Sequence, residues 1–167
     1  RAYFTYLPDS KAKCDIVLGD ARLELEKDLA SGIEKFDIIE VDVYSGDSVP
    51  THLVTEEAFS LFRDLLKEDG ILAFHISNWH INLFSVMKSA AQYLGFNLLE
   101  TVSGDVLNEY ASETYWAFMT KGTFEPRMPN CCHRVDLDRV PDRPLMTDER
   151  GSLIFNLGFG YIPPYED

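Results

Sequence analysis

Positive charge, cysteine and long apolar runs are all scarce in this chain, and each scarcity narrows what it can do. Only 15 Lys and Arg stand against 28 Asp and Glu, a formal net charge of −13. Binding a polyanion is driven mainly by cations that neutralise phosphates, so nucleic acid is not expected as a partner, whereas a small cationic amine is compatible. Most of the surplus acid reads as a solvated surface that aids solubility. The 3 cysteines, Cys14, Cys131 and Cys132, form no spaced framework, which points to a reducing, cytoplasmic compartment. Cys131-Cys132-His133 lacks the paired spacings of a zinc site, and no metal is expected. No uncharged run approaches the ~18 residues that a membrane helix needs. The longest candidate, Gly151 to Tyr165, is interrupted by glycines and by Pro163-Pro164. The opening, Arg1-Ala-Tyr-Phe-Thr-Tyr, does not read as a signal peptide, and no internal repeat or low-complexity tract follows.

What is present is enough for one ordinary domain, since 167 residues that are 46% hydrophobic can build a core. Its organising stretch is Phe36-Asp-Ile-Ile-Glu-Val-Asp-Val-Tyr-Ser-Gly-Asp-Ser-Val-Pro50. Phe36, Ile38, Ile39, Val41 and Val43 predict a strand covered on both faces, running into a loop that carries Asp42 and Asp47.

Taken in order, Cys14 to Leu18 predicts a short strand ending at Gly19-Asp20. A helix follows on which Ala21, Leu25 and Leu29 recur, with Asp20 as its N-cap and Ser31-Gly32 as its end. After the acidic loop, Thr55-Glu-Glu opens a second helix with buried positions Ala58, Phe59, Phe62, Leu65 and Leu66, closed by Asp69-Gly70. Ile71 to Ile76 predicts a strand that delivers His75, Ser77, Asn78 and His80 to its C-terminal end. Leu83 to Leu94 is an amphipathic helix stopped by Gly95, and Phe96–Val102 and Tyr115–Thr120 are two last strands. The chain divides into a unit over 1–122 and a Pro-, Arg- and Asp-rich tail over 123–167 that packs on it.

Strands alternating with helices predict a doubly wound α/β sheet, and two final strands with no helix between them predict an antiparallel closing hairpin. Such sheets take ligands beyond the carboxyl ends of their strands, so Asp20, Asp42, Asp47, His75 and Asn78 are expected along one rim.

Four segments in this order carry a family resemblance: Gly19-Asp20-Ala21, Phe36-Asp-Ile-Ile-Glu-Val-Asp42, Ser45-Gly-Asp47-Ser-Val-Pro50-Thr-His-Leu-Val-Thr55 and Gly70-Ile-Leu-Ala-Phe-His75-Ile-Ser-Asn78. They resemble the spermidine synthase (polyamine aminopropyltransferase) family, above all the divergent domains fused to membrane transporter segments. Pro144-Leu-Met-Thr147-Asp148 is similar to a Thr-Asp-Asp motif of the same proteins. The resemblance implies the Rossmann-like fold of S-adenosylmethionine-dependent methyltransferases, present in part, with the first two strands and the glycine-rich loop absent from this chain. A homo-oligomer that supplies strands from another copy is compatible with that expectation.

The implied reaction moves an aminopropyl group from decarboxylated S-adenosylmethionine to putrescine. The resemblance implies Asp42 as the base on the attacking amine and Asp20, with Ala21 beside it, as the contact to the adenine of the co-substrate. It further implies Asp47 and Tyr110 as residues that line the amine, and His75, from its place on the same rim, is a further substrate-binding candidate. Methyl transfer from S-adenosylmethionine, and a non-catalytic ligand-binding or assembly module of the same fold, remain alternatives.

Overall fold

The computed structural model describes residues 5–43, 50–78, 80–103, 113–123 and 132–150. Asp47 and Tyr110 therefore lie outside the described residues. The elements in order are a one-turn helix α1 (Tyr6–Asp9), α2 (Ala21–Ser31), β1 (Phe36–Val41), a 3-10 turn (Thr51–Leu53), α3 (Glu56–Leu65), β2 (Leu66–His75), α4 (Leu83–Leu94), β3 (Asn97–Ser103), β4 (Thr114–Thr120), β5 (Cys132–Arg134) and a second 3-10 turn (Leu137–Arg139).

The helix boundaries follow from side chains that satisfy the first free N–H groups. Asp20 accepts from the Leu23 amide, Thr55 from Ala58 and Asn82 from Ser85. At the other ends, Gly32 at φ 72° and Gly95 at φ 67° take the left-handed conformation that closes α2 and α4 without a Cβ penalty.

The five strands form one sheet in the order β1-β2-β4-β3-β5. β1 and β2 run parallel, which requires the α3 crossover between them, and β4 lies antiparallel between β2 and β3. The expected closing hairpin is thus present, with its second strand inserted next to β2. A parallel pair with a helical crossover, completed by an antiparallel hairpin, makes this part of the expected Rossmann-like α/β fold. β5 adds a short antiparallel strand beyond β3, within a stretch whose sequence shows no strand period.

The core lies where α3 and α4 pack on the sheet. Phe59, Phe62 and Phe74 are each at most 1% exposed. Their rings meet with centroids 5.4 Å apart for Phe59–Phe74 and 5.8 Å for Phe62–Phe74, tilted or edge-on as ring quadrupoles favour. Leu65, Leu72, Leu83, Met87 and Met119 complete its centre.

Three expectations are corrected. Cys14 to Leu18 is not a strand: the segment pairs with nothing among the described residues, and Ile16, Val17 and Leu18 are exposed. β-branched residues alone do not make a strand without a neighbour to bond. β1 ends at Val41 and is covered on one face only, with Ile39 and Val41 buried but Ile38 60% exposed. Finally, α3 stops at Leu65, and β2 begins at Leu66 instead of Ile71. Pairing runs Phe36↔Leu66 and then Ile38↔Ile71, so β2 bulges between these positions. Gly70 permits that bulge, because a Cβ there would meet the Lys67 carbonyl oxygen at 3.0 Å.

Candidate active site

The parallel register builds the site. Val41 pairs with Phe74, so the residues that follow, Asp42 and His75, emerge side by side at the carboxyl ends of adjacent strands. Asp42 Oδ1 lies 2.9 Å from His75 Nδ1. The other ring nitrogen, Nε2, is 2.7 Å from Ser77 Oγ, and that oxygen accepts the Tyr115 amide at 2.9 Å. From the antiparallel side, Trp116 is the cross-strand partner of His75 and stacks on its ring at 5.0 Å and 25°. The Asp42 side chain is 54% exposed and that of His75 22%, which leaves the acid open to solvent at the end of an ordered chain of bonds.

Asp20 occupies a different place. Its Oδ1 caps α2 at the Leu23 amide, 3.1 Å, and its Oδ2 is 3.2 Å from His52 Nε2. The cap bond, aided by His52, holds its carboxyl below the usual carboxylate range. Ala21 is the first residue of the helix it caps. Asp20 lines an open cleft of about 660 Å³ together with Leu23, Thr51, His52 and Asp148. Of the sequence-derived site residues, the structure brings Asp42 and His75 together, whereas Asp20 lines this cleft, whose lining includes neither of them. Asn78 serves the backbone, its Oδ1 accepting the His80 and Ile81 amides at 2.9 Å each at the approach to α4.

The cleft has a clamp that sequence reasoning missed. Arg22 donates to the His52 carbonyl at 2.8 Å, to Glu26 at 3.1 Å, and through both terminal nitrogens to the Asp148 carboxylate. Thr55 donates to the same Asp148 at 2.8 Å, and the Asp148 amide donates to Glu57 at 3.0 Å. Arg22 holds the Asp148 carboxyl below its usual range, with Thr55 assisting, and Asp148 in turn keeps the guanidinium charged. The Thr147-Asp148 motif was the available signal, but its partner across the fold was not. Among the described residues no group of His, Cys, Asp and Glu has the arrangement of a metal site, and no helix is long and apolar enough to cross a membrane.

No family model matches the chain. Over 86 residues, 52% of its length, it is 31% identical to the polyamine aminopropyltransferase of Vibrio vulnificus (strain CMCP6). The chain is similar in sequence to a polyamine aminopropyltransferase. The resemblance carried by the motifs is thereby borne out, and the chain spans 25% of that relative's length. Among solved structures it is similar to MnmC2 from Aquifex aeolicus, with a TM-score of 0.48 and 21% identity over 74% of this chain and 36% of that one. It is also similar to spermidine synthase from Thermotoga maritima, with a TM-score of 0.46 and 20% identity over 71% of this chain and 38% of that one.

Proposed function

We propose that this chain supplies the amine-activating side of a spermidine synthase-like site, which moves an aminopropyl group from decarboxylated S-adenosylmethionine to a polyamine such as putrescine. The observation that carries this reading is the Asp42 carboxylate at the C-terminal end of β1, with Oδ1 held by His75 and the side chain half open to solvent. The sequence likeness to a polyamine aminopropyltransferase supports the reaction class.

The residue types suit the chemistry. The co-substrate supplies a sulfonium, which departs as a neutral thioether while the amine nitrogen bonds to the adjacent carbon. The protein needs to orient the amine and take one proton from it, and a carboxylate does both. Asp42 binds the ammonium and receives its proton. Asp20, on a cleft whose volume lies within the range of small-molecule sites, would hold the adenine, with Ala21 beside it. Asp47 and Tyr110 would line the polyamine.

The test is Asp42→Asn in the complete protein, assayed for transfer to putrescine alongside binding of 5′-methylthioadenosine by calorimetry. Transfer falls by a factor of about 10² or more while nucleoside affinity is unchanged. Turnover near that of the wild type removes Asp42 from the role of base.

A further inference from the structure

We propose that His75 is a positioning residue that fixes the carboxylate of Asp42 for proton abstraction. The proposal rests on the reading of Asp42 as the base, and it departs from the substrate-binding role that the rim position suggested for His75.

The hydrogen-bond directions carry it. The Tyr115 amide can only donate, so Ser77 Oγ accepts that bond at 2.9 Å. That bond leaves the Ser77 hydroxyl proton free to go to His75 Nε2, 2.7 Å away, the direction a neutral imidazole requires once the Asp42 carboxylate, an acceptor only, takes the Nδ1–H. With Nε2 accepting, the ring proton of a neutral imidazole resides on Nδ1 and points at Asp42 Oδ1, 2.9 Å away. Both ring nitrogens face protein atoms, and Trp116 covers one ring face at 5.0 Å. The imidazole is thereby fixed in position, in tilt and in tautomer.

The consequence falls on Asp42. A strand-end aspartate that is 54% exposed has free rotamers unless something holds it, and restoring one geometry at each turnover has an entropic cost. The Nδ1–H bond takes Oδ1, and among the described residues no bond is made to Oδ2. Oδ2 is therefore the oxygen presented to the amine. The proton moves from the amine nitrogen to Oδ2, and the bond from Nδ1–H to Oδ1 stays in place throughout. His75 orients the base and neither gains nor loses a proton.

The test uses the complete protein and two readouts. In steady-state transfer to putrescine, His75→Ala lowers kcat about tenfold or more and leaves KM for the sulfonium co-substrate unchanged. His75→Asn, whose amide nitrogen overlays Nδ1, restores most of the loss. If Asp42→Asn abolishes transfer while His75→Ala is as fast as the wild type, the positioning role is overturned and the base survives. If Asp42→Asn itself retains turnover, the reading beneath the proposal fails instead. The second readout needs no turnover: nitrogen NMR of the wild-type imidazole finds the proton on Nδ1, and a proton on Nε2 alone contradicts the proposal.

Discussion

Two polar clusters on this one sheet are built in opposite ways. At the ends of β1 and β2, Asp42, His75 and Ser77 are linked in sequence and open at one end to solvent. Between β3 and α4, Glu100 is fully buried and, among the described residues, neither of its carboxyl oxygens is bonded, nor is the buried Ser85 hydroxyl. Burial pushes the Glu100 carboxyl well above the usual carboxylate range, against a smaller pull from Lys88. Lys88 itself turns away, donating to the Val140 carbonyl and to Asp142, both at 2.9 Å, which holds the Asp142 carboxyl below its usual range. The difference shows that polar clusters on one sheet can have opposite physical consequences. The rim cluster is bonded member to member, whereas the inner one lowers stability by desolvating groups that gain no partner among the described residues.

Glu100→Gln gives the largest stability effect that would sharpen this contrast. An acid whose folded value is raised contributes stability that is fully present below its unfolded value near ~4.3 and is lost as pH rises toward the folded value. Removing the titration therefore raises the melting temperature at pH 7 and leaves it unchanged at pH 4. The gain follows about 1.4 kcal/mol for each pH unit between the two values. Differential scanning calorimetry at both pH values checks this, and equal shifts at both would mean that Glu100 finds a partner in solution.

A smaller effect comes from the clamp. Asp148→Ala removes the partner of Arg22 and should lower stability by about 1 kcal/mol, because solvent screens a carboxylate that is 40% exposed. The sign with pH is the reverse of that for Glu100. The Asp148 carboxyl is held low, so its contribution is present above the ordinary value near ~4 and is lost as pH falls through the folded value. Wild type and variant should converge in urea titrations on acidification, and a gap that persists below pH 2 would remove the ion pair from the account.

Much of this architecture is legible along the chain. Capping residues Asp20, Thr55 and Asn82 and the glycines at 32 and 95 stand where local chemistry requires them, so the helix starts and the ends of α2 and α4 follow from sequence, whereas the end of α3 does not. The meeting of Asp42 and His75 is also foreseeable, since both end apolar strand runs of a parallel pair. Burial is harder to read. Ile38 and Glu100 each occupy strand positions, but period-2 alternation says which residues share a face and not which face is covered. The exposed Ile38 and the buried Glu100 are therefore the reverse of what their polarity suggests. The β2 bulge was obscured because Lys67-Glu-Asp-Gly70 has the composition of a turn. The Arg22–Asp148 clamp joins residues 126 apart, a separation over which no local pattern operates.

The central claim is that Asp42 and His75 act as one unit, and a double-mutant cycle on kcat tests it most directly. Asp42→Asn and His75→Ala each slow transfer, and the double variant should be no slower than Asp42→Asn alone, because a positioning residue has nothing left to position. Additive losses, with the double variant slower by the product of the two single effects, would show that His75 acts independently of Asp42 and would contradict the account.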